Sequence, residues 1–187
     1  MGKLLLTGVD GNLGQLAADV LLHQQYCLTS FVHSQIDHHS LHLMRLLSGY
    51  NEESLKKYAE KGVETHVTNF NNPDGLVEAF KGADALALIS MPFVGVKRQN
   101  AHKNAVDAAK AAGVKQIIYT SLVNADDETN PSVEKKDHIY TEKYIQEVGL
   151  DYQFMRNSQY AEAMVTNYFT YAHVNYSRPK GHGLVTA

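Results

Sequence analysis

Short apolar runs alternate along this chain with longer stretches whose apolar residues recur at helical spacing. Runs of about five apolar or β-branched residues, bounded by turn residues, are typical of buried strands. Six runs of this kind predict strands at residues 3–7, 28–32, 63–67, 85–90, 116–120 and 151–155.

Helical spacing marks the segments between these runs. Leu13, Leu16, Ala17, Val20 and Leu21 share one predicted helical face directly after the first strand. Further helices are predicted at residues 54–61, 75–80, 100–112 and 138–148, with Gly62, Gly82, Gly113 and Gly149 as C-terminal caps. Strands that alternate with helices form a parallel sheet covered on both faces. The predicted fold class is therefore α/β, a doubly wound parallel sheet that binds ligands outside the carboxyl ends of its strands.

Composition limits the classes of protein that fit the sequence. With 187 residues, 44% of them hydrophobic, the chain is long enough for one domain with a sizeable core. A net charge of −3 without a basic stripe argues against nucleic acid, and no apolar run reaches the ~20 residues of a membrane helix. Cys27 is the single cysteine and has no partner for an internal disulfide. We therefore expect a cytoplasmic protein that binds neither nucleic acid nor membrane.

The segment TGVDGNLG joins the first predicted strand to the first predicted helix. Gly8, Gly11 and Gly14 form the pattern G-x-x-G-x-x-G. In dinucleotide-binding folds the first glycine permits a tight turn, the second lets the backbone approach a pyrophosphate, and the third lets helix and strand pack closely. The helix amino terminus adds free N–H groups and a partial positive charge. Residues 8–14, termed the glycine loop below, are thus predicted to bind phosphate.

Four features in order carry a resemblance to a known family. They are TGVDGNLG at 7–14, AAKAAGVKQIIYTSL at 108–122, HIYTEKYIQEVGLDYQFMRN at 138–157, and Tyr160. The chain resembles the short-chain dehydrogenase/reductase superfamily, within it the NmrA-like branch, and most of all the NAD(P)H:quinone oxidoreductases of that branch. The resemblance runs from residue 3 to about 171. It implies a Rossmann-like fold, NADPH as cofactor with NAD as an alternative, and hydride transfer to a quinone or similar small acceptor.

The resemblance also implies where the cofactor binds. In the glycine loop it assigns Gly8, Asp10, Gly11, Asn12, Leu13 and Gly14 to the cofactor. Beyond the loop it assigns His33 to the adenosine ribose, Asn69 and Phe70 to adenine, and Ile89 and Ser90 to the ribose and nicotinamide.

Two of these positions depart from the family pattern, and the first of them leaves the choice between NADP and NAD open. Relatives usually carry an arginine at the position of His33, and a guanidinium favours the 2′-phosphate of NADP, whereas an acid favours NAD. His33 is neither, so NADP is expected from the resemblance alone. Asp10 stands where relatives usually have threonine. Its carboxylate beside the pyrophosphate would weaken binding unless it turns away or caps the helix.

The proton relay of the superfamily is incomplete in this chain. The relay is a serine, and a tyrosine four residues before a lysine. Ser121 and Lys143 match it, but Ile139 stands four residues before Lys143. Tyr140 lies about 100° away around a helix from the required position. Quinone reduction tolerates this loss, because the hydroquinone anion can take its proton from water.

Catalytic residues are therefore predicted at Lys143, Asn157 and Tyr160. By resemblance, Lys143 binds the ribose hydroxyls, while Asn157 and Tyr160 lie near the nicotinamide and the acceptor. The missing tyrosine is also compatible with an alternative function, a non-catalytic redox sensor that binds the dinucleotide and acts through a protein partner. The expected partners are a small quinone-like acceptor and, as an open alternative, a second copy of the chain in a homodimer.

Residues 35–51 are longer than the usual link after the second strand and predict an added amphipathic helix. His38 and His42 stand there at i, i+4 spacing, but no cysteine or glutamate completes a ligand set, so no metal is expected. The resemblance divides the chain into an NAD(P)-binding domain at 1–171 and, at 172–187, the start of a C-terminal substrate part that is largely missing.

Overall fold

The computed structural model describes residues 2–23, 45–49, 52–127, 129 and 132–161. The chain divides into two units, residues 1–156 and 157–187. The described residues of the second unit are 157–161. The boundary predicted at residue 171 lies outside the described residues and stays a prediction.

Strands and helices alternate along the described chain. The strands are β1 (Leu4–Leu6), β2 (Arg45–Gly49), β3 (Glu64–Val67), β4 (Ala85–Leu88), β5 (Gln116–Leu122) and β6 (Asp151–Asn157). The helices are α1 (Asn12–His23), α2 (Glu52–Ala59), α3 (Pro73–Phe80), α4 (Val96–Ala111) and α5 (Val133–Val148). α5 begins earlier than predicted because the Ser132 side chain caps it by accepting from the N–H of Lys135. None of the described helices combines the length and the apolarity that a membrane crossing requires.

The described strands form one sheet in the order β3-β2-β1-β4-β5-β6. β1 pairs in parallel with β2 on one side and with β4 on the other, and Leu5 lies opposite both Leu46 and Leu86. The pairs β2–β3 and β4–β5 are parallel as well. The strand order therefore changes direction between β1 and β4, and a crevice outside the carboxyl ends of such strands is the usual ligand site. The predicted doubly wound α/β fold is confirmed.

The second strand lies where the sequence predicted a helix. β2 is residues 45–49, inside the span 35–51, so the helix prediction is wrong for these five residues. The strand predicted at 28–32 lies outside the described residues, and the parallel neighbour of β1 on this side is β2. Two residues connect the end of β2 to the start of α2, as is typical of βα loops. A strand at 28–32 would need a far longer connection.

Apolar clusters cover both faces of the sheet. Consecutive strand residues point to opposite faces, and Leu5 accordingly belongs to the larger cluster and Leu6 to the smaller one. The larger cluster is completed by α3, α4 and α5, with residues such as Phe80, Ala105 and Ile145. The smaller cluster is completed by α1 and α2. Helices therefore pack on both faces, as the predicted architecture requires.

α1 buries only part of the predicted face: Ala17 and Leu21 pack against the smaller cluster, but Leu16 and Val20 do not. Gly14 and Ala18 are buried, whereas Leu16 and Val20 are 65% and 52% exposed, so their predicted burial is wrong. The reason at position 14 is the close approach of α1 to the turn after β1, where a Cβ would overlap the backbone of Gly8. The hydrophobic spacing alone did not reveal this requirement.

Candidate functional site

Thr7 ties the carboxyl ends of β1 and β4 together. Its buried side chain donates through Oγ1 to the carbonyl of Ala87 at 3.3 Å and accepts from the N–H of Ile89 at 3.0 Å. The backbone N–H of Thr7 donates to the same Ala87 carbonyl at 3.0 Å. As a result Gly8 and Ile89 lie side by side, and a Cβ at Gly8 would be 3.3 Å from the Ile89 Cβ. These two residues form the start of the crevice between β1 and β4.

The glycine loop turns directly into α1. Gly8 has a φ of 71°, in the left-handed region that glycine adopts without strain. The N–H of Gly11 donates to the carbonyl of Gly8 at 3.1 Å, and the N–H of Gln15 donates to the carbonyl of Gly11 at 3.0 Å. A Cβ at Gly14 would overlap the carbonyl oxygen of Gly8. The first and third glycines therefore permit the turn and the close helix packing that the motif predicts.

Gly11 differs from Gly8 and Gly14 because it faces open space. It is exposed, and a Cβ there would lie at an ordinary contact distance of 3.5 Å from the Gly8 carbonyl oxygen. Asn12, the first residue of α1, is exposed as well, and Leu13 is half-buried. N–H groups at the start of a helix lack intrahelical partners and, with the helix dipole, favour an anion. The bare backbone at Gly11 and this helix start fit the pyrophosphate of a dinucleotide.

Ile89 and Ser90 follow β4 at the same edge of the sheet. The N–H of Ser90 donates to Oγ1 of Thr120 at 2.8 Å, and the N–H of Met91 donates to Nε2 of His102 at 3.1 Å. Ile89 and Ser90 are half-buried, and the Ile89 side chain lies beside Gly8. The structure thus brings both predicted residues to the edge on which the glycine loop lies.

The two residues predicted to contact adenine have different environments. Asn69 is exposed, and its Oδ1 accepts from the N–H of Asn71 at 2.9 Å in a local turn. Phe70 is 2% exposed and packs in the larger apolar cluster, and its carbonyl accepts from Nδ2 of Asn104 at 2.9 Å. The Phe70 side chain therefore stabilises the core, and Asn69 remains the surface candidate of the pair.

Ser121 is hydrogen-bonded to a buried ion pair. Its Oγ donates to Oε1 of Glu142 at 2.5 Å. Arg156 donates to both carboxylate oxygens of Glu142, from Nε at 3.0 Å and from Nη2 at 2.7 Å, and from Nη1 to Asp126 at 3.0 Å. The hydrogen bonds to Glu142 and Asp126 raise the pKa of the Arg156 guanidinium. The Ser121 hydroxyl is therefore bonded to a carboxylate, and this hydrogen bond joins β5 to α5.

Replacing Arg156 by alanine is expected to lower the free energy of unfolding by about 2 kcal/mol, because a nearly inaccessible carboxylate would lose its cation. The value lies below the range for fully buried pairs, because the Arg156 side chain is 37% exposed. Denaturant unfolding measures the change. Lys81→Ala is the matched control, since it removes an ion pair with Glu78 in which both side chains are more than half exposed. Equal losses in the two variants would contradict a stabilising role for the buried pair.

α5 directs Glu142 toward β5 and leaves Lys143 exposed. Adjacent helix positions are about 100° apart, so both side chains cannot face the same strand. Tyr140 stacks on Tyr144, with ring centroids 6.3 Å apart. The structure therefore does not bring Lys143 to Ser121, and the role predicted for Lys143 at the ribose rests on the resemblance alone.

His138 takes part in a buried polar group, termed the histidine–tyrosine group, that consists of His102, Tyr119, His138 and Thr141. The Tyr119 hydroxyl and Nδ1 of His138 are hydrogen-bonded at 2.7 Å. Nε2 of His102 accepts from a backbone N–H, so its Nδ1 carries the hydrogen and donates to Oγ1 of Thr141 at 3.0 Å. The Thr141 hydroxyl donates to the carbonyl of Asp137 at 2.9 Å.

Burial keeps the histidine–tyrosine group uncharged. It lowers the pKa of His102 to about 3 and that of His138 to about 4, and the charge of Arg98 acts in the same direction. Burial also raises the pKa of Tyr119. This group was not predicted from the sequence. Two spacings could have indicated it: Tyr119 and Ser121 point to the same face of β5, and His138 and Glu142 lie on the same face of α5.

Asn157 and Tyr160 contact each other within the second unit. Nδ2 of Asn157 donates to the Tyr160 hydroxyl at 2.9 Å, and Tyr160 is 46% exposed. The structure thus joins two of the three residues predicted to be catalytic. Their contact with a nicotinamide or an acceptor stays a prediction.

His33 lies outside the described residues. Its assignment to the adenosine ribose therefore stays a prediction. His38 and His42 also lie outside the described residues. Across the described ranges, no group of three or more histidine, cysteine, aspartate or glutamate side chains is arranged to hold a metal ion.

Comparison with known proteins gives one family and several similar structures. The model of the NmrA-like family matches residues 1–184. Quinone oxidoreductase 2 of Escherichia coli (strain K12) is 38% identical over 112 residues, which are 60% of this chain and 38% of that protein.

Two solved structures contain a dinucleotide. The NADPH complex of an NADPH-dependent quinone oxidoreductase from Escherichia coli has a TM-score of 0.73 and 29% identity, and the match covers 92% of this chain and 54% of that one. The NADP(H) complex of Citrobacter sp. triphenylmethane reductase has a TM-score of 0.72 and 29% identity, covering 86% and 51%. The chain therefore spans about half the length of these two structures, and its match spans less of the curated relative.

Proposed function

The chain belongs to the NmrA-like family, and from this premise we propose that it is an oxidoreductase that uses NAD(P)H to reduce a quinone or a similar small acceptor. The curated relative is a quinone oxidoreductase, and the two similar structures hold NADPH or NADP(H). Because the chain spans only about half of those structures, their activity is not assigned to it by similarity alone. The proposal is argued from the geometry of the site.

The geometry of the glycine loop is the observation that carries the proposal. Gly8 makes the left-handed turn, Gly14 brings α1 against it, and Gly11 leaves bare backbone at the helix start. The loop lies where the strand order changes direction, at the edge that binds dinucleotides in this type of sheet. In the proposed complex Ile89 and Ser90 line the ribose and nicotinamide, and Asn69 contacts adenine.

The polar groups near β5 favour an acceptor that needs no protein acid. Ser121 donates to Glu142, and Ile139 stands where the superfamily has its tyrosine. When bound, the reduced nicotinamide supplies a hydride. A quinone that accepts a hydride becomes a hydroquinone anion, which takes its remaining proton from water. The protein then has to hold the two rings together and exclude water between them.

Asn157 and Tyr160 are the residues we assign to the acceptor. An aromatic ring at Tyr160 suits stacking on a flat acceptor, and the hydrogen bond from Asn157 fixes the position of its hydroxyl group. Lys143 keeps its predicted role at the ribose hydroxyls as part of the same proposal, although its side chain is exposed.

The test is a turnover assay with the full chain. We expect a mixture of protein, NADPH or NADH, and a benzoquinone to lose the absorbance of reduced nicotinamide faster than the mixture without protein. Gly11→Val should return the rate to the background. Binding of both dinucleotides without any acceleration would contradict the enzyme and support a non-catalytic sensor.

A further inference from the structure

The Asp10 side chain lies against the end of the neighbouring strand β2. Its Oδ2 and Oδ1 are 2.5 and 2.8 Å from the point where a Cβ at Gly49 would lie. Gly49 is buried, and its carbonyl accepts from the N–H of Thr68 at 2.9 Å, so the strand end is held in the sheet. The Asp10 carboxylate therefore occupies the space beside β2 that a side chain at Gly49 would take.

The end of the second strand is where dinucleotide folds distinguish NAD from NADP. An acid there accepts hydrogen bonds from the adenosine ribose 2′-hydroxyl, and an arginine nearby pairs with a 2′-phosphate. In this chain the strand itself ends in glycine, which has no side chain to do either. The carboxylate comes instead from the glycine loop, two residues before α1 begins at Asn12.

From this contact we propose that Asp10 makes the site select a dinucleotide with a free 2′-hydroxyl, NADH, over one with a 2′-phosphate, NADPH. The inference rests on the proposed function, because it concerns the same dinucleotide site. A carboxylate accepts hydrogen bonds from the ribose hydroxyl and repels a phosphate group at the same place. Selection against NADPH thus follows from charge, and it distinguishes this chain from the two similar structures that hold NADPH or NADP(H).

The experiment titrates the full chain with NADH and with NADPH, following nicotinamide fluorescence, for the wild type and for Asp10→Asn. We expect the wild type to bind NADH at least about tenfold more tightly than NADPH, as one unfavourable charge contact predicts. Asp10→Asn keeps the shape of the side chain and should reduce this ratio by about tenfold, mainly by strengthening NADPH binding. Circular dichroism verifies that the variant is folded.

Glu60→Gln is the matched control, because it removes one negative charge from an exposed residue just after α2. Its ratio of affinities should equal that of the wild type. A wild-type preference for NADPH, equal affinities, or an unchanged ratio in Asp10→Asn would each overturn the role of Asp10 while leaving a dinucleotide site in place. Failure of the wild type to bind either dinucleotide would instead overturn the proposed function, and the role of Asp10 with it.

Discussion

Replacing Gly11 by valine is expected to lower the affinity for NADH and NADPH by at least about 100-fold, equivalent to about 2.7 kcal/mol, with little change in folding. Gly11 is exposed, and a Cβ would meet its nearest neighbour at an ordinary 3.5 Å. The protein alone can therefore accept the side chain. The valine methyl groups would occupy the space through which a pyrophosphate approaches the backbone. Fluorescence titration measures the affinity, and thermal unfolding followed by circular dichroism measures the stability.

Gly14→Ala is the matched variant within the same loop. Unlike Gly11→Val, it should lower the free energy of unfolding. A Cβ at Gly14 would overlap the backbone of Gly8 and lie 2.9 Å from the Val9 Cα, so the turn or the helix has to move. A clash with backbone in a packed region costs about 1–3 kcal/mol or more. The smaller substitution is thus the more destabilising one. If Gly11→Val bound dinucleotides normally, or unfolded as readily as Gly14→Ala, the glycine loop would not be the phosphate site.

The features that the sequence predicted correctly are those governed by short-range patterns. The apolar run of β1, the three glycines and the helix after them follow one another within 23 residues, so their spacing carries the geometry of the turn. The alternation of strands and helices likewise determined the doubly wound class, because parallel strands require crossovers.

The features that the sequence did not predict depend on which of two similar segments or side chains faces the sheet. Residues 45–49 were predicted as part of a helix, but they pair in parallel with β1 and β3. On α5, Glu142 and Lys143 are adjacent polar residues, and the position of Arg156 on β6 decides that Glu142 is the buried one. Each choice is made by a partner distant in sequence.

Lowering the pH from 7 to 5 is expected to reduce the free energy of unfolding by about 4 kcal/mol, about 2 kcal/mol for each of two buried histidines. Burial lowers the pKa of His102 to about 3 and of His138 to about 4, from a usual value of 6.5. Below pH 6.5 the unfolded chain therefore binds protons that the folded chain does not. Stability is complete above pH 6.5 and falls as the pH decreases toward 4 and 3. Denaturant unfolding at several pH values measures the slope.

Between pH 7 and 5 the buried histidines change the free energy of unfolding, whereas the carboxylates act at lower pH. Asp84 and Asp107 have lowered pKa values in the folded protein, so their contribution is lost only as the pH falls below their usual value of 3.8. His102→Gln should halve the loss of unfolding free energy between pH 7 and 5, whatever its effect on stability at pH 7. The reason is that only His138 would still bind a proton in the unfolded chain and not in the folded one. An unchanged slope in His102→Gln would contradict a neutral, buried histidine–tyrosine group and require another group to bind the protons on unfolding.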